Sequence, residues 1–98
     1  MVAKTAEFIV KKGKLDKVKE AIDQYVRIVH VSEPGTRMYL SLQDEENELR
    51  FLHIMVFESE GAEKKHQRAV YTEKFTEILY PNCKSEPIFK NFNYFGGL

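Results

Sequence analysis

Apolar residues occupy both faces of one stretch near the middle of the chain, Leu49 to Phe57 (L-R-F-L-H-I-M-V-F). Seven of its nine residues are apolar and it contains no Gly or Pro, which predicts a central strand. Side chains alternate between the two faces of a strand, so one face carries Phe51, His53, Met55 and Phe57, and the other carries Leu52, Ile54 and Val56. Exposed apolar surface costs about 25 cal/mol per Å². Both faces of the predicted sheet therefore have to be buried against other parts of the structure.

Three further segments have the pattern of strands. The first is Thr5 to Lys11, which Lys12-Gly13 ends. The second is Thr36 to Gln43, with Met38, Leu40 and Leu42 on one side and Arg37, Tyr39, Ser41 and Gln43 on the other. A polar hairpin loop, Asp44 to Asn47, joins it to the central strand. The last predicted strand, Pro87 to Phe95, is aromatic on both faces.

Two regions have a helical period instead. The first runs from Lys14 to about His30, and its apolar stripe consists of Leu15, Val18, Ile22, Tyr25, Val26 and Val29. Pro34-Gly35 then forms a turn. The second runs from Glu60 to about Tyr80, with a break predicted near Val70 to Thr72. Ser59 is its predicted N-cap, and Pro81-Asn82 ends it.

The order of elements is strand, helix, strand, strand, helix, strand. It predicts an α+β fold of the ferredoxin-like, split β-α-β type, in which a four-stranded antiparallel sheet carries both helical regions on one face. A chain of 98 residues forms one such domain, residues 1–98. Two helices cannot cover both faces of the sheet. We therefore expect a homodimer in which the uncovered faces pack together.

Charge and cysteine content narrow the choice of partners and compartment. The formal net charge is zero, which gives no support to a nucleic-acid partner. Cys83 is the only cysteine, so an intrachain disulfide is excluded and a reducing cytoplasm is expected. No run approaches the length of a transmembrane helix, and Met1 to Lys12 is too polar for a signal peptide. We expect a cytoplasmic protein that does not bind a membrane.

The spacing of ligand-type residues predicts neither a metal nor a cofactor. Three histidines and one cysteine occur without a paired spacing such as His-x-His or Cys-x-x-Cys. No Gly-rich loop follows a predicted strand, so the nucleotide and flavin fingerprints are missing.

His66 is the leading candidate for chemistry. Ala62, Ala69 and Val70 lie three or four residues from it, so it falls on the inward stripe of its helix, while Glu63 and its other neighbours are assigned to the solvent side. Small neighbours leave room for a ligand, and an imidazole titrates near neutrality, as a general base should. The alternative is a buried histidine hydrogen-bonded to a backbone carbonyl.

Four other polar residues are candidates for substrate binding. His53 interrupts an apolar strand face and would need a partner there, so it is either a site residue or a satisfied core histidine. Tyr71 shares a face with His66 only if the helix bends between them, and it could equally be an amphipathic core residue. Tyr39 and Arg37 could orient an anionic or phenolic group, or could occupy an exposed strand face.

Several of these residues carry a resemblance to a known family. They are Glu33-Pro34-Gly35-Thr36, Tyr39, Phe57-Glu58-Ser59, Ala62, His66 and Phe75. The pattern resembles the antibiotic biosynthesis monooxygenase domain family over roughly residues 8–95. The resemblance implies a dimeric α+β barrel with a pocket between sheet and helices. It also implies activities that include cofactor-independent oxygenation of quinols and polyphenolic rings, heme degradation, and processing of a phosphorylated quorum-sensing signal.

The chain departs from the family pattern at three positions. Tyr71 stands where members often have a second histidine, and Met55 stands where many have a glutamate. Phe57 stands where the heme-degrading branch has a tryptophan, and the chain has no tryptophan at all. Heme degradation is therefore disfavoured, and Phe57 is expected to contact an aromatic substrate instead.

Three functional hypotheses follow. The first is a cofactor-free monooxygenase of a small quinol or other electron-rich aromatic molecule, with His66 taking a phenolic proton. The second is a non-catalytic dimeric protein that holds a small apolar ligand in the same pocket. The third, an enzyme that processes a small phosphorylated signal, needs more pocket-facing cations than the sequence offers.

Overall fold

The chain folds as a four-stranded antiparallel sheet with three helices packed on one side. The structure is a computed structural model that describes residues 1–98. Its elements in chain order are β1 (Val2–Ile9), α1 (Leu15–Ser32), β2 (Thr36–Gln43), β3 (Arg50–Phe57), α2 (Glu60–Arg68), α3 (Val70–Leu79) and β4 (Ile88–Asn93). The strand order is β2-β3-β1-β4. The predicted ferredoxin-like α+β fold is confirmed. None of the helices is long and apolar enough to cross a membrane.

Strand bounds differ from the prediction where pairing between strands decides them. β1 begins at Val2 rather than Thr5, because it pairs with β3 along its whole length, from Val2 opposite Phe57 to Ile9 opposite Arg50. Beyond Ile9, Val10 makes only an isolated bridge to Cys83. β4 is shorter than predicted because it is an edge strand paired only with β1, and its last pair joins Asn93 to Val2.

The second helical region is divided at Ala69, close to the predicted break. Ala69 has an extended backbone with ψ 142° and caps both helices. The Thr72 hydroxyl donates to the backbone oxygen of His66 at 2.7 Å, and the Ala69 amide donates to the same oxygen. Val70 is turned outward by the break and is 66% exposed, so its predicted place on the inward stripe with His66 is wrong. The predicted N-cap is confirmed, since Ser59 Oγ accepts from the Ala62 amide at 3.1 Å.

The core lies between the helices and one face of the sheet. The Phe8 and Phe51 rings stack at 5.5 Å on the sheet side, and Tyr25 of α1 stacks on Phe75 of α3 at 4.2 Å. The buried residues of the larger cluster are Phe8, Val10, Val18, Ile22, Tyr25, Val29, Phe51, Phe75, Leu79 and Cys83. A smaller cluster nearer α2 consists of Ala6, Met55 and Phe57. A cavity remains in the space between these groups.

The opposite face of the sheet, which we call the open face, is apolar and uncovered. The predicted alternation of β2 is confirmed, since Met38, Leu40 and Leu42 point to this face and are 42–44% exposed. Ile88 and Phe92 of β4 lie on the same face by register, opposite Glu7 and Ala3 of β1. No part of the chain packs over these side chains.

We predict that Gly35 is required for the close approach of β2 to α2. A Cβ built on Gly35 would lie 2.8 Å from the Ala62 Cβ, which is too close for two carbon atoms. Gly35→Ala should therefore lower the free energy of unfolding by about 1–3 kcal/mol, measured by urea denaturation. Gly61→Ala is the matched control, because its new Cβ would have no atom nearer than 3.7 Å.

A second change distinguishes steric overlap from other causes. Adding Ala62→Gly to Gly35→Ala removes the overlapping carbon and should recover part of the lost stability. A double variant that is no more stable than Gly35→Ala would contradict this account.

Candidate active site

A cavity of about 460 Å³ opens between the helix-facing side of the sheet and α1, α2 and α3. Its volume is in the range of sites that hold small organic molecules. Much of its wall is apolar, formed by Ala6, Phe8, Met55, Phe57, Phe75 and Leu79. The polar side chains central to the site are Tyr25, Tyr39, His53, His66 and Thr72. The cavity is therefore suited to an aromatic or otherwise apolar molecule with few polar groups.

His66 lies in the cavity wall and is paired with a buried carboxyl group. It is 5% exposed, and its Nδ1 lies 2.8 Å from Oε1 of Glu33, which is also 5% exposed. Glu33 follows the last turn of α1, where the chain turns towards β2 at Pro34. The Thr36 hydroxyl donates to the same carboxyl oxygen at 2.7 Å. The carboxyl group thus holds one nitrogen of the imidazole and directs the other towards the cavity side.

Tyr71 is brought to the same carboxyl group by the break at Ala69. Its hydroxyl donates to Oε2 of Glu33 in a short hydrogen bond. Partial burial, together with the nearby Glu33 carboxyl group, raises the pKa of Tyr71 above its ordinary value. His66 and Tyr71 therefore meet through Glu33, and Tyr71 does not line the cavity.

The second nitrogen of His66 is bonded to Tyr25. Tyr25 Oη lies 2.9 Å from Nε2 of His66 and 3.0 Å from Oγ1 of Thr72. Burial raises the pKa of Tyr25 well above its ordinary value, so the hydroxyl stays protonated at neutral pH. The stacked contact with Phe75 holds the ring in place.

His53 faces the helices and is satisfied by its neighbours. It is 1% exposed; Tyr39 Oη lies 2.9 Å from its Nδ1, and Ser41 Oγ lies 2.9 Å from its Nε2. Burial lowers its pKa to about 4, so the ring is neutral at pH 7. Burial likewise raises the pKa of Tyr39. These side chains form a second polar group in the cavity wall.

Two charged residues lie at the cavity side between β1 and α2. Lys4 Nζ and Glu63 Oε2 form an ion pair at 2.5 Å, and both side chains are about one-sixth exposed. The assignment of Glu63 to the solvent side is therefore wrong: it lies one turn before His66, and pairing with Lys4 compensates its partial burial.

The last two candidate residues have different locations. Phe57 is 1% exposed and lines the cavity, with its ring centroid 5.1 Å from that of His66. Arg37 is not brought to the cavity. The register shifts between Thr36 and Met38, so Arg37 sits in a bulge and its guanidinium donates to Glu58 at 3.1 Å. Arg37 therefore pairs with Glu58 and does not line the cavity with Tyr39.

The sequence reasoning missed three members of this network. In the sequence, Glu33 stands out only among the residues that carry the family resemblance, Tyr25 only within an apolar stripe, and Thr72 only near the predicted break. The available signals were a glutamate directly before Pro34-Gly35 and a tyrosine within the buried stripe of α1. Neither signal indicates which side chains would form hydrogen bonds with the glutamate or the tyrosine.

The family relationship agrees with this fold. The sequence model described as antibiotic biosynthesis monooxygenase matches residues 1–78. The chain belongs to the antibiotic biosynthesis monooxygenase family. No curated protein sequence matches it.

Three solved structures illustrate the shared fold. A candidate antibiotic biosynthesis monooxygenase from Caulobacter crescentus has a TM-score of 0.91 and 17% identity, covering 97% of this chain and 90% of that chain. One from Nitrosomonas europaea has a TM-score of 0.86 and 18% identity, covering 100% and 99%. A Mycobacterium tuberculosis protein has a TM-score of 0.89 and 12% identity, covering 98% and 96%. At these identities the likeness concerns the fold.

We predict that His53 makes the folded protein sensitive to acid. Its pKa is about 4 in the folded chain and ordinarily near 6.5, so the unfolded chain binds the proton first as the pH falls. The contribution of His53 to the free energy of unfolding is fully present above pH 6.5 and is lost as the pH falls from 6.5 to 4. The loss amounts to about 3 kcal/mol.

The measurement is urea unfolding of the original protein and His53→Gln across this pH range. The free energy of unfolding of the original protein should fall more steeply, and the difference between the two curves isolates His53 from the carboxyl groups. His30→Gln, at an exposed position, should retain the original slope. Parallel curves for the original protein and His53→Gln would refute the prediction.

Proposed function

We propose that the protein is a cofactor-independent monooxygenase that oxidises a small quinol or another electron-rich phenol. One observation carries the proposal: a buried Glu33–His66 pair stands in the wall of a largely apolar cavity. An imidazole held by a carboxyl group is a common general base. Membership in the antibiotic biosynthesis monooxygenase family supports the reaction type.

In the proposed reaction the substrate supplies the electrons. The phenolic proton passes to His66, and the phenolate gives one electron to dioxygen. The phenoxyl radical and superoxide then combine at a ring carbon that carries hydrogen. From this peroxide the ring C–H and the O–O bonds break, a second C=O forms, and water leaves. One oxygen atom of dioxygen enters the ring and the other becomes water.

The other cavity residues have proposed roles that follow from their contacts. Phe57 lies against the His66 ring and would contact the substrate ring. Tyr39 and His53 bond to each other and would shape the opposite wall. Tyr71 would act through Glu33, as a positioning residue. Excluding water from such a site protects the radical and peroxide intermediates.

A non-catalytic binding protein is the second candidate, and one observation favours it. Every buried side-chain nitrogen and oxygen already has a hydrogen-bond partner within the chain. The cavity could therefore hold an apolar ligand without offering it a free polar group. A phosphorylated ligand is less well supported, since Lys4 is the only lysine or arginine in the cavity wall and is paired with Glu63.

The oxygenation proposal predicts oxygen uptake with some members of a panel of quinols and naphthols, followed with an oxygen electrode. His66→Ala should lower kcat by about 10²–10⁴-fold because it removes the general base. Glu33→Gln should also lower kcat, since it keeps the shape but not the charge beside Nδ1. Glu58→Gln, at an exposed glutamate, should resemble the original protein.

The outcome separates the two candidate functions. A folded His66→Ala variant as active as the original protein would refute the catalytic role. Tight binding of panel members without oxygen uptake would favour the binding protein.

We also propose that two copies pack through the open face. The apolar side chains exposed there have no cover within the chain, and a second copy presents the same surface about a two-fold axis. A homodimer would leave both cavities on the outer, helical sides. Of the two phenylalanines near the end of the last predicted strand, Phe92 lies on the open face and Phe95 lies beyond β4, which favours Phe92 as the interface residue.

We predict that a charge on the open face disrupts the dimer. In Leu40→Asp or Phe92→Asp, an unpaired carboxylate would be buried against the second copy, at a cost of several kcal/mol. Sedimentation should show the original protein as a dimer and these variants as monomers or aggregates. Val31→Asp is the control, because Val31 of α1 is 80% exposed and lies off this face. A folded monomer of the original protein at micromolar concentration would refute the interface.

A further inference from the structure

The hydrogen-bond partners around Tyr25 determine where the protons lie in this network. The Thr72 hydroxyl has one hydrogen, and it donates this hydrogen to the backbone oxygen of His66, which can only accept. Thr72 Oγ1 must therefore accept the hydrogen of Tyr25, 3.0 Å away. Tyr25 Oη can then only accept from Nε2 of His66, 2.9 Å away. In this arrangement Nε2 of His66 bears a hydrogen.

The other side of the imidazole faces the carboxyl group of Glu33. Oε1 of Glu33 accepts from Thr36 and lies 2.8 Å from Nδ1 of His66, and Oε2 accepts from Tyr71. A carboxylate oxygen can only accept, so the contact with Oε1 places a hydrogen on Nδ1 as well. Both ring nitrogens of His66 then donate, Nδ1 to Glu33 and Nε2 to Tyr25. In this state His66 has no free nitrogen to take a substrate proton.

We propose that Tyr25 relays the substrate proton to His66, and that Thr72 holds the Tyr25 hydrogen only until a substrate binds. The proposal rests on the function proposed above, because it concerns deprotonation of a phenolic substrate. It assigns a catalytic role to Tyr25 and a positioning role to Thr72.

The relay has three steps that balance. First, Nε2 of His66 loses its proton to solvent. Second, the Tyr25 hydroxyl turns from Thr72 to Nε2, and its oxygen accepts the hydroxyl hydrogen of the phenol. Third, the phenol proton moves to Tyr25 Oη while the Tyr25 proton moves to Nε2. The result is a phenolate bound by the Tyr25 hydroxyl, a reprotonated His66, and one proton released for each phenol bound.

Substrate binding and base formation are coupled in this arrangement. Without substrate, turning Tyr25 towards Nε2 leaves its oxygen facing Thr72 with no hydrogen between them, which costs a hydrogen bond. A phenolic hydroxyl supplies the missing donor. The substrate class is therefore a molecule with a free phenolic hydroxyl, and a methyl ether of the same ring cannot complete the network.

The first test is anaerobic titration with 1-naphthol, whose anion absorbs at longer wavelength than the neutral molecule. The original protein should show the anion and release one proton per bound naphthol, measured with a pH indicator in weak buffer. Tyr25→Phe keeps the ring that stacks on Phe75 and removes only the hydroxyl. It should form at least tenfold less anion. Equal anion formation in folded Tyr25→Phe, or neutral naphthol bound to the original protein, would overturn the relay.

The second test needs no ligand and uses ¹⁵N NMR of the His66 ring. In the original protein both nitrogens should carry hydrogen. In Thr72→Val the Tyr25 hydroxyl has only Nε2 to donate to, so Nε2 should become an acceptor, while Thr72→Ser should resemble the original protein. Thr76→Val is the matched control, because the Thr76 hydroxyl donates to the Glu73 carbonyl instead. An unprotonated Nε2 in the original protein without ligand would overturn the inferred proton order. So would a His66 ring signal that is the same in Thr72→Val as in the original protein.

Failure of the relay and failure of the monooxygenase reaction give different results. Oxygen uptake that survives Tyr25→Phe refutes the relay and leaves the reaction standing. Anion formation that depends on Tyr25, without oxygen uptake by any panel member, supports the relay and refutes the reaction.

Discussion

The structure depends on satisfying the largely buried carboxyl group of Glu33. Glu33 is 5% exposed and follows the C-terminal turn of α1, where the helix dipole disfavours an anion. Donors from the protein have to replace water there, and Thr36, His66 and Tyr71 supply them. These residues belong to β2, α2 and α3. One carboxyl group therefore links four elements and fixes the His66 ring in the cavity wall.

The break at Ala69 is what allows this convergence. Five residues separate His66 from Tyr71, and an unbroken helix would point them about 140° apart, given 3.6 residues per turn. The extended backbone of Ala69 redirects α3 so that both side chains meet Glu33. At the break the His66 carbonyl accepts from both the Thr72 hydroxyl and the Ala69 amide, so it is not left unsatisfied. The same break exposes Val70, so a small loss of apolar burial accompanies the assembly of the site.

The two faces of the sheet have separate roles that meet in β3. Phe51, His53, Met55 and Phe57 face the helices and the cavity, while Leu52, Ile54 and Val56 face the open side. Because alternate residues of one strand serve both faces, a strand with apolar residues throughout can line a cavity and an interface at once. The irregularity at Arg37 occurs in the neighbouring strand, where the guanidinium pairs with Glu58.

Local periodicity by itself determined the order of elements, the bounds of β2 and the inward position of His66, because each depends on residues within one element. Pairing with β3 decided where β1 begins, and register decided that Arg37 leaves the site. The sequence could not identify Glu33 as the centre of the network. Its partners lie 3, 33 and 38 residues away, and only the packing of separate elements brings them together. A glutamate before a turn has the sequence signature of a solvated charge, and burial by three other elements is what gave it a different role.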